Sequence, residues 1–106
     1  MARTTIKERD ALPVRVTFKD VDGALIVPTS CRYRVDCVTT QTTIIDWTSV
    51  AADSTVNITI PSSANDIVND RNTVEQKRIT VQGNHGQTDQ MNQWLDYDVT
   101  VSEFYT

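Results

Sequence analysis

Cys31-Arg32-Tyr33-Arg34-Val35-Asp36-Cys37 alternates apolar and charged residues without a break. Period two puts Cys31, Tyr33, Val35 and Cys37 on one face of an extended chain and Arg32, Arg34 and Asp36 on the other. The same alternation returns in Val14-Val16-Phe18, in Val56-Ile58-Ile60 and in Leu95-Tyr97-Val99-Val101. Turn-forming residues flank each run. The pattern predicts an all-β fold built from strands with one buried and one wet face.

Working outward, a first strand is expected over 13–19. Asp20-Val21-Asp22-Gly23 follows as a tight turn, because glycine supplies the positive φ that such turns need. A short second strand, 24–27, ends at Pro28, and the third covers 30–39. The fourth, 43–49, sets Ile45 and Trp47 on one face, which predicts a core position for Trp47. The fifth, 55–60, stops at Pro61. Ser63-Ala64-Asn65-Asp66 has the spacing of a capping box and predicts one or two helical turns over 63–69. The sixth strand, 74–82, turns Ile79 and Val81 inward, and the last covers 92–102. About seven strands with one short helical crossing fit a single antiparallel β-sandwich of the immunoglobulin or fibronectin-III kind. Residues 1–11 carry no periodicity and read as an extended N-terminal arm, with the sandwich domain over 12–106.

Composition narrows the function. The 106 residues carry a net charge of −4, and the ten Lys and Arg form no cluster. A sequence-independent nucleic-acid binder needs clustered cations to displace counterions, so no nucleic-acid partner is expected. The longest apolar run, Ala24-Leu25-Ile26-Val27, falls far short of the roughly 20 residues that span a bilayer, and no membrane partner is expected. Residues 1–10 lack a secretory apolar core, which suggests synthesis in a cytoplasm. Cys31 and Cys37 on one strand would lie roughly 20 Å apart, beyond the reach of a disulfide. They read as small buried hydrophobes.

No constellation for chemistry emerges, so no enzyme, cofactor or metal is expected. Asp20-x-Asp22-Gly23 lacks the later oxygen ligands of a calcium loop. His85 sits between turn residues with no activated nucleophile in the sequence. Asp96 and Asp98 share a strand face, where charge keeps an edge soluble. Asn57-Ile58-Thr59 matches a glycosylation pattern that has meaning only in a secreted chain. Trp94 falls on the outward phase of the last strand, a position typical of contact surfaces. Residues 1–34 hold seven basic and four acidic groups, whereas residues 89–106 hold four acidic and no basic ones. Such opposite ends could draw copies together head to tail. The candidate interface residues are therefore Arg3, Lys7, Arg9, Trp94, Asp96 and Asp98.

Phe18-x4-Gly23, Pro28-Thr29-Ser30, Tyr33-Arg34-Val35-Asp36, Asp46-Trp47-Thr48-Ser49-Val50, Val56-x-Ile58-x-Ile60 and Glu75-x3-Ile79-Thr80-Val81 occur in an order that resembles small virion proteins of tailed bacteriophages. The likeness covers roughly residues 12–102 and consists of strand and turn residues. It implies a structural part of the capsid, of the head-to-tail neck or of the tail. Partners would be other virion proteins and copies of the chain itself, as a homo-oligomer located in the virion. It carries over no functional residue. The alternative is a carbohydrate- or host-surface-binding module on the same sandwich.

Overall fold

Seven strands follow one another along the chain: β1 (Thr4–Lys7), β2 (Leu12–Thr17), β3 (Cys31–Cys37), β4 (Thr42–Val50), β5 (Thr55–Ile60), β6 (Val74–Gly83) and β7 (Met91–Thr100). The computed structural model describes residues 4–101. One sheet has the order β1-β7-β6-β3-β4 and the other pairs β2 with β5. Apart from the parallel β1–β7 pair, neighbouring strands in both sheets are antiparallel. The expected all-β sandwich is the fold.

The inward residues of both layers meet in one core. Val16, Phe18, Val56, Ile58 and Ile60 pack from the small sheet against Val35, Ile79, Val81, Tyr97 and Val99 of the large one. Both cysteines are buried at opposite ends of β3 and remain unpaired, as the strand spacing requires. Burial raises the pKa of the Cys31 thiol. Gly83 has a packing reason as well: a Cβ there would sit 3.0 Å from the Phe18 ring.

Several local expectations are corrected. The segment set apart as an arm contains β1, which runs parallel to β7 with Thr4 opposite Tyr97 and Lys7 opposite Thr100. Arg9, at φ 66°, then turns the chain away towards β2. Residues 24–27 form no strand: a single bridge, Lys19 to Leu25, closes the turn. The turn itself is as expected. Gly23 has φ 84°, and the Asp20 carboxylate accepts the Asp22 and Ala24 N–H groups. No capping box forms either. One 3₁₀ turn covers Ser62–Asn65 without a side-chain cap, and Asp66 is already extended.

The reason lies inside the molecule. Asn65 is fully buried. It accepts the Tyr97 hydroxyl at 2.7 Å and donates Nδ2 to the Asp10 carbonyl at 2.7 Å. Downstream amides bond a carboxylate rather than a helix: Glu75 accepts Val68 N–H at 2.6 Å, Asn69 N–H at 2.9 Å and Asn72 Nδ2 at 3.0 Å. Lys77, also fully buried, donates Nζ to the Asp66 carbonyl at 2.7 Å. Glu75 and Lys77 stand on the inward phase of β6. They bind the 61–73 crossover to the large sheet through polar contacts that satisfy each buried charge.

These contacts set a pH dependence. Burial alone pushes the Glu75 carboxyl up, but the Asn69, Asn72 and Val68 donors and the Lys77 charge together hold it below its ordinary value. Its stabilisation is thus complete above about pH 4.3, the ordinary glutamate value, and is lost as pH falls through the lower folded value. Burial also lowers the Lys77 pKa, against the pull of Cys37, Glu75 and Asp66. That group therefore adds stability only as pH rises from its folded value towards its ordinary one. We predict that Glu75→Ala costs about 3 kcal/mol or more at pH 7, because it strands a buried cation and several amides. Glu75→Gln should lower Tm at pH 7 and make the loss of Tm between pH 5 and 3 shallower than in the parent. Thermal melts across that range test both, and parallel curves would refute the assignment.

Candidate interaction surface

The outer face of the five-stranded sheet carries the densest set of functional side chains. Its residues are those out of phase with the core: Arg32, Arg34 and Asp36 on β3, Arg78, Thr80 and Gln82 on β6, and Asn92, Trp94, Asp96 and Asp98 on β7. The register places Arg34 opposite Thr80 and Thr80 opposite Trp94, with Arg78 between Asp36 and Asp96.

Trp47 belongs to this face and not to the core, which corrects the sequence expectation. Pairing moves from Tyr33–Thr48 to Val35–Ile45, so β4 uses three residues where β3 uses two. The extra residue is a bulge, and it breaks the phase between Ile45 and Trp47. Ile45 stays against the core. Trp47 emerges beneath two guanidiniums, with Arg32 4.2 Å and Arg34 5.4 Å from its ring centroid. Alternation read from sequence cannot locate a bulge, because the extra residue has no composition of its own.

The arginines are fixed from the other side. Arg34 Nη2 donates to Asp36 and to Thr43, both at 2.8 Å. Arg32 Nε donates to Gln82 at 2.8 Å. Arg78 makes two bonds to Asp96, at 2.6 and 3.0 Å. That fork geometry is the strong form of a surface ion pair. Hydrogen bonding to Asp36 raises the pKa of the Arg34 guanidinium, and hydrogen bonding to Asp96 that of Arg78. The result is a stiff polar ladder with one tryptophan at each end. Trp47 and Trp94 stand three strand spacings apart, roughly 14 Å.

The candidate interface residues divide across this geometry. Trp94 is 64% exposed on the outer face. Asp96 and Asp98 share that face, and Lys7 flanks it from β1. Asp96, Asp98 and Lys7 are already engaged within the chain. Arg9 pairs with Asp66 at 3.0 Å, beside the crossover and away from the tryptophans. Arg3 lies outside the described residues. Of the basic groups near the N-terminus, Lys7 lies on β1 beside β7 and Arg9 pairs with Asp66. Sequence reasoning missed Arg32, Arg34, Trp47 and Arg78 as parts of one surface, although the charged half of the β3 alternation was the available signal.

Elsewhere, His85 is half-buried in the loop between β6 and β7. Its neighbour Asn84 bonds Thr29 and Asp89, which ties two loops together. Among the described residues no group of three or more His, Cys, Asp or Glu side chains could hold a metal ion. Among the described residues no helix is long and apolar enough to cross a membrane. No family model, curated protein or solved structure matches the chain.

The stacking of Arg32 on Trp47 is open to direct measurement. A double-mutant cycle of Arg32→Ala and Trp47→Ala, read by urea unfolding, should give a coupling of about 0.5–1 kcal/mol. A coupling within experimental error of zero would show that the two rings of charge and π density are not held together in solution.

Proposed function

We propose that this chain is a non-enzymatic structural component of a tailed-phage particle, in its capsid decoration, its neck or its tail. It acts through protein–protein contacts in many copies, with other virion proteins and with itself. The observation that carries this reading is the exposed Trp94 on a sheet face braced by side-chain bonds. Leaving a large aromatic ring in water forfeits the stabilisation that burial would give, and tryptophan is the residue most enriched among interface anchors. The ladder of Arg32, Arg34, Arg78 and Asp96 supplies a polar rim already organised by internal bonds, which reduces the ordering cost on docking. Weak contacts of this size suffice when many copies engage together. The assignment to a phage particle rests on the resemblance of the strand and turn residues.

A second reading is favoured by one specific feature. Trp47 and Trp94 occupy the same face with arginine, threonine and glutamine between them, an arrangement that also suits a sugar chain laid across a sheet. Trp94→Ala separates the two. Its side chain is mostly in solvent, so Tm should change by no more than a degree or two. Under the virion reading, mass spectrometry of purified particles finds the parent chain and finds the variant strongly depleted. If the chain never purifies with particles, and glycan-array binding is lost in the variant, the carbohydrate-binding reading replaces it.

A further inference from the structure

A short, strained turn joins β1 to the next strand. Lys7, Glu8, Arg9 and Asp10 close it through a bond from the Asp10 N–H to the Lys7 carbonyl at 3.2 Å. Arg9 holds the third position of this turn with φ 66°. That geometry suits glycine or asparagine, and any other side chain meets a steric cost there. Only the four residues 8–11 separate β1 from β2, yet the two strands belong to different sheets.

β1 itself is lightly held. It is the outer strand of the large sheet and runs parallel to β7. Three of its four residues are exposed, and only Ile6 packs against the core. Its seat is defined by backbone pairing with β7, extended by the Glu8 N–H to the Thr100 carbonyl at 2.8 Å. The Thr100 hydroxyl adds a bond to the Ile6 carbonyl at 3.3 Å. None of these contacts requires the strand and its seat to belong to one chain. Straightened, residues 8–11 span about 13 Å, more than the distance of about 10 Å between packed sheets. β1 can therefore pass to a neighbour while β2 stays in place. Asn65 fixes the far side of the hinge, since its Nδ2 donates to the Asp10 carbonyl at 2.7 Å.

We propose that β1 is an exchangeable strand, and that it takes the seat beside β7 of a second copy in a reciprocal, strand-swapped dimer. Each β1 remakes on its neighbour the contacts it makes on its own molecule, so pairing and burial are conserved in the exchange. The exchange gives up the turn: the Asp10-to-Lys7 bond and the bond from the Arg9 N–H to the Asn65 carbonyl at 2.9 Å. It releases Arg9 from the left-handed region. Short hinges under strain favour such swapping. The same surfaces serve both copies, so the dimer closes on a two-fold axis. No virion partner is involved. A swapped dimer that never enters particles keeps this inference and loses the virion reading, and a virion protein whose β1 never leaves its own molecule does the reverse.

Paired cysteines test it. Thr5 stands opposite Asp98, and Cα atoms on adjacent strands lie about 5 Å apart, within reach of a disulfide. The double variant Thr5→Cys/Asp98→Cys should close under mild oxidation, which verifies the register. The single variants Thr5→Cys and Asp98→Cys, each shown to be folded by circular dichroism, are then mixed at high concentration, incubated and oxidised. Non-reducing electrophoresis should show a covalent heterodimer, and peptide mass spectrometry should place its linkage between positions 5 and 98. Neither single variant alone should give that linkage, and Cys31 and Cys37 are buried. Adding Arg9→Gly to both, which relieves the turn, should lower the heterodimer yield about five-fold or more. A double variant that does not close, a mixture without the 5–98 heterodimer, or a yield that Arg9→Gly leaves unchanged each overturns the proposal.

Discussion

Two strands must cover one face of a five-stranded sheet, and most of this molecule follows from that mismatch. Apolar burial is complete only where β2 and β5 lie directly over β6, β3 and the second half of β7. Outside that strip the chain uses other means. At one end the crossover between β5 and β6 folds over the sheet. Along the first half of β7 no described residue covers it, and a cleft remains.

The crossover has too few apolar residues to be held by the hydrophobic effect alone. It is held instead by buried charge and amide groups: Glu75 and Lys77 bond the backbone of 66–69, and the Tyr97 hydroxyl donates to the Asn65 side chain. Such an arrangement is specific because a half-satisfied member is costly, so one geometry is strongly preferred over its near neighbours. It also explains the absence of a longer helix. Glu75 offers the amides of Val68 and Asn69 a charged acceptor, and the segment leaves the helical path at Asp66 and bends to meet it.

The outer face obeys a different balance. There the sheet is wet, and its side chains are ordered by one another. A bulge turns Trp47 out to meet Arg32 and Arg34, and β7 presents Asp96 to Arg78. Stiffness of this kind is useful in a surface that binds, since less freedom is lost on contact. The functional proposal therefore concerns a face whose parts lie on four strands, brought together by pairing and not by proximity in sequence.

Alternation alone determined the fold class, six of the seven strands and most of the core, because side-chain direction in a strand is a local property with period two; β1, which has no such pattern, was not legible. Val35, Ile58, Ile79, Tyr97 and Val99 are buried where their phase places them. The turn at Asp20–Gly23 was legible for the same reason, since positive φ has a residue signature. Tertiary structure decided what depends on partners distant in the chain. The sequence does not reveal that Glu75 and Lys77 point inward, because their burial is tolerable only with acceptors and donors supplied by the crossover. Nor does it reveal that Trp47 points outward, because one extra residue in β4 reverses its phase. The pairing of β1 with β7 is likewise a long-range contact whose energy no local pattern records.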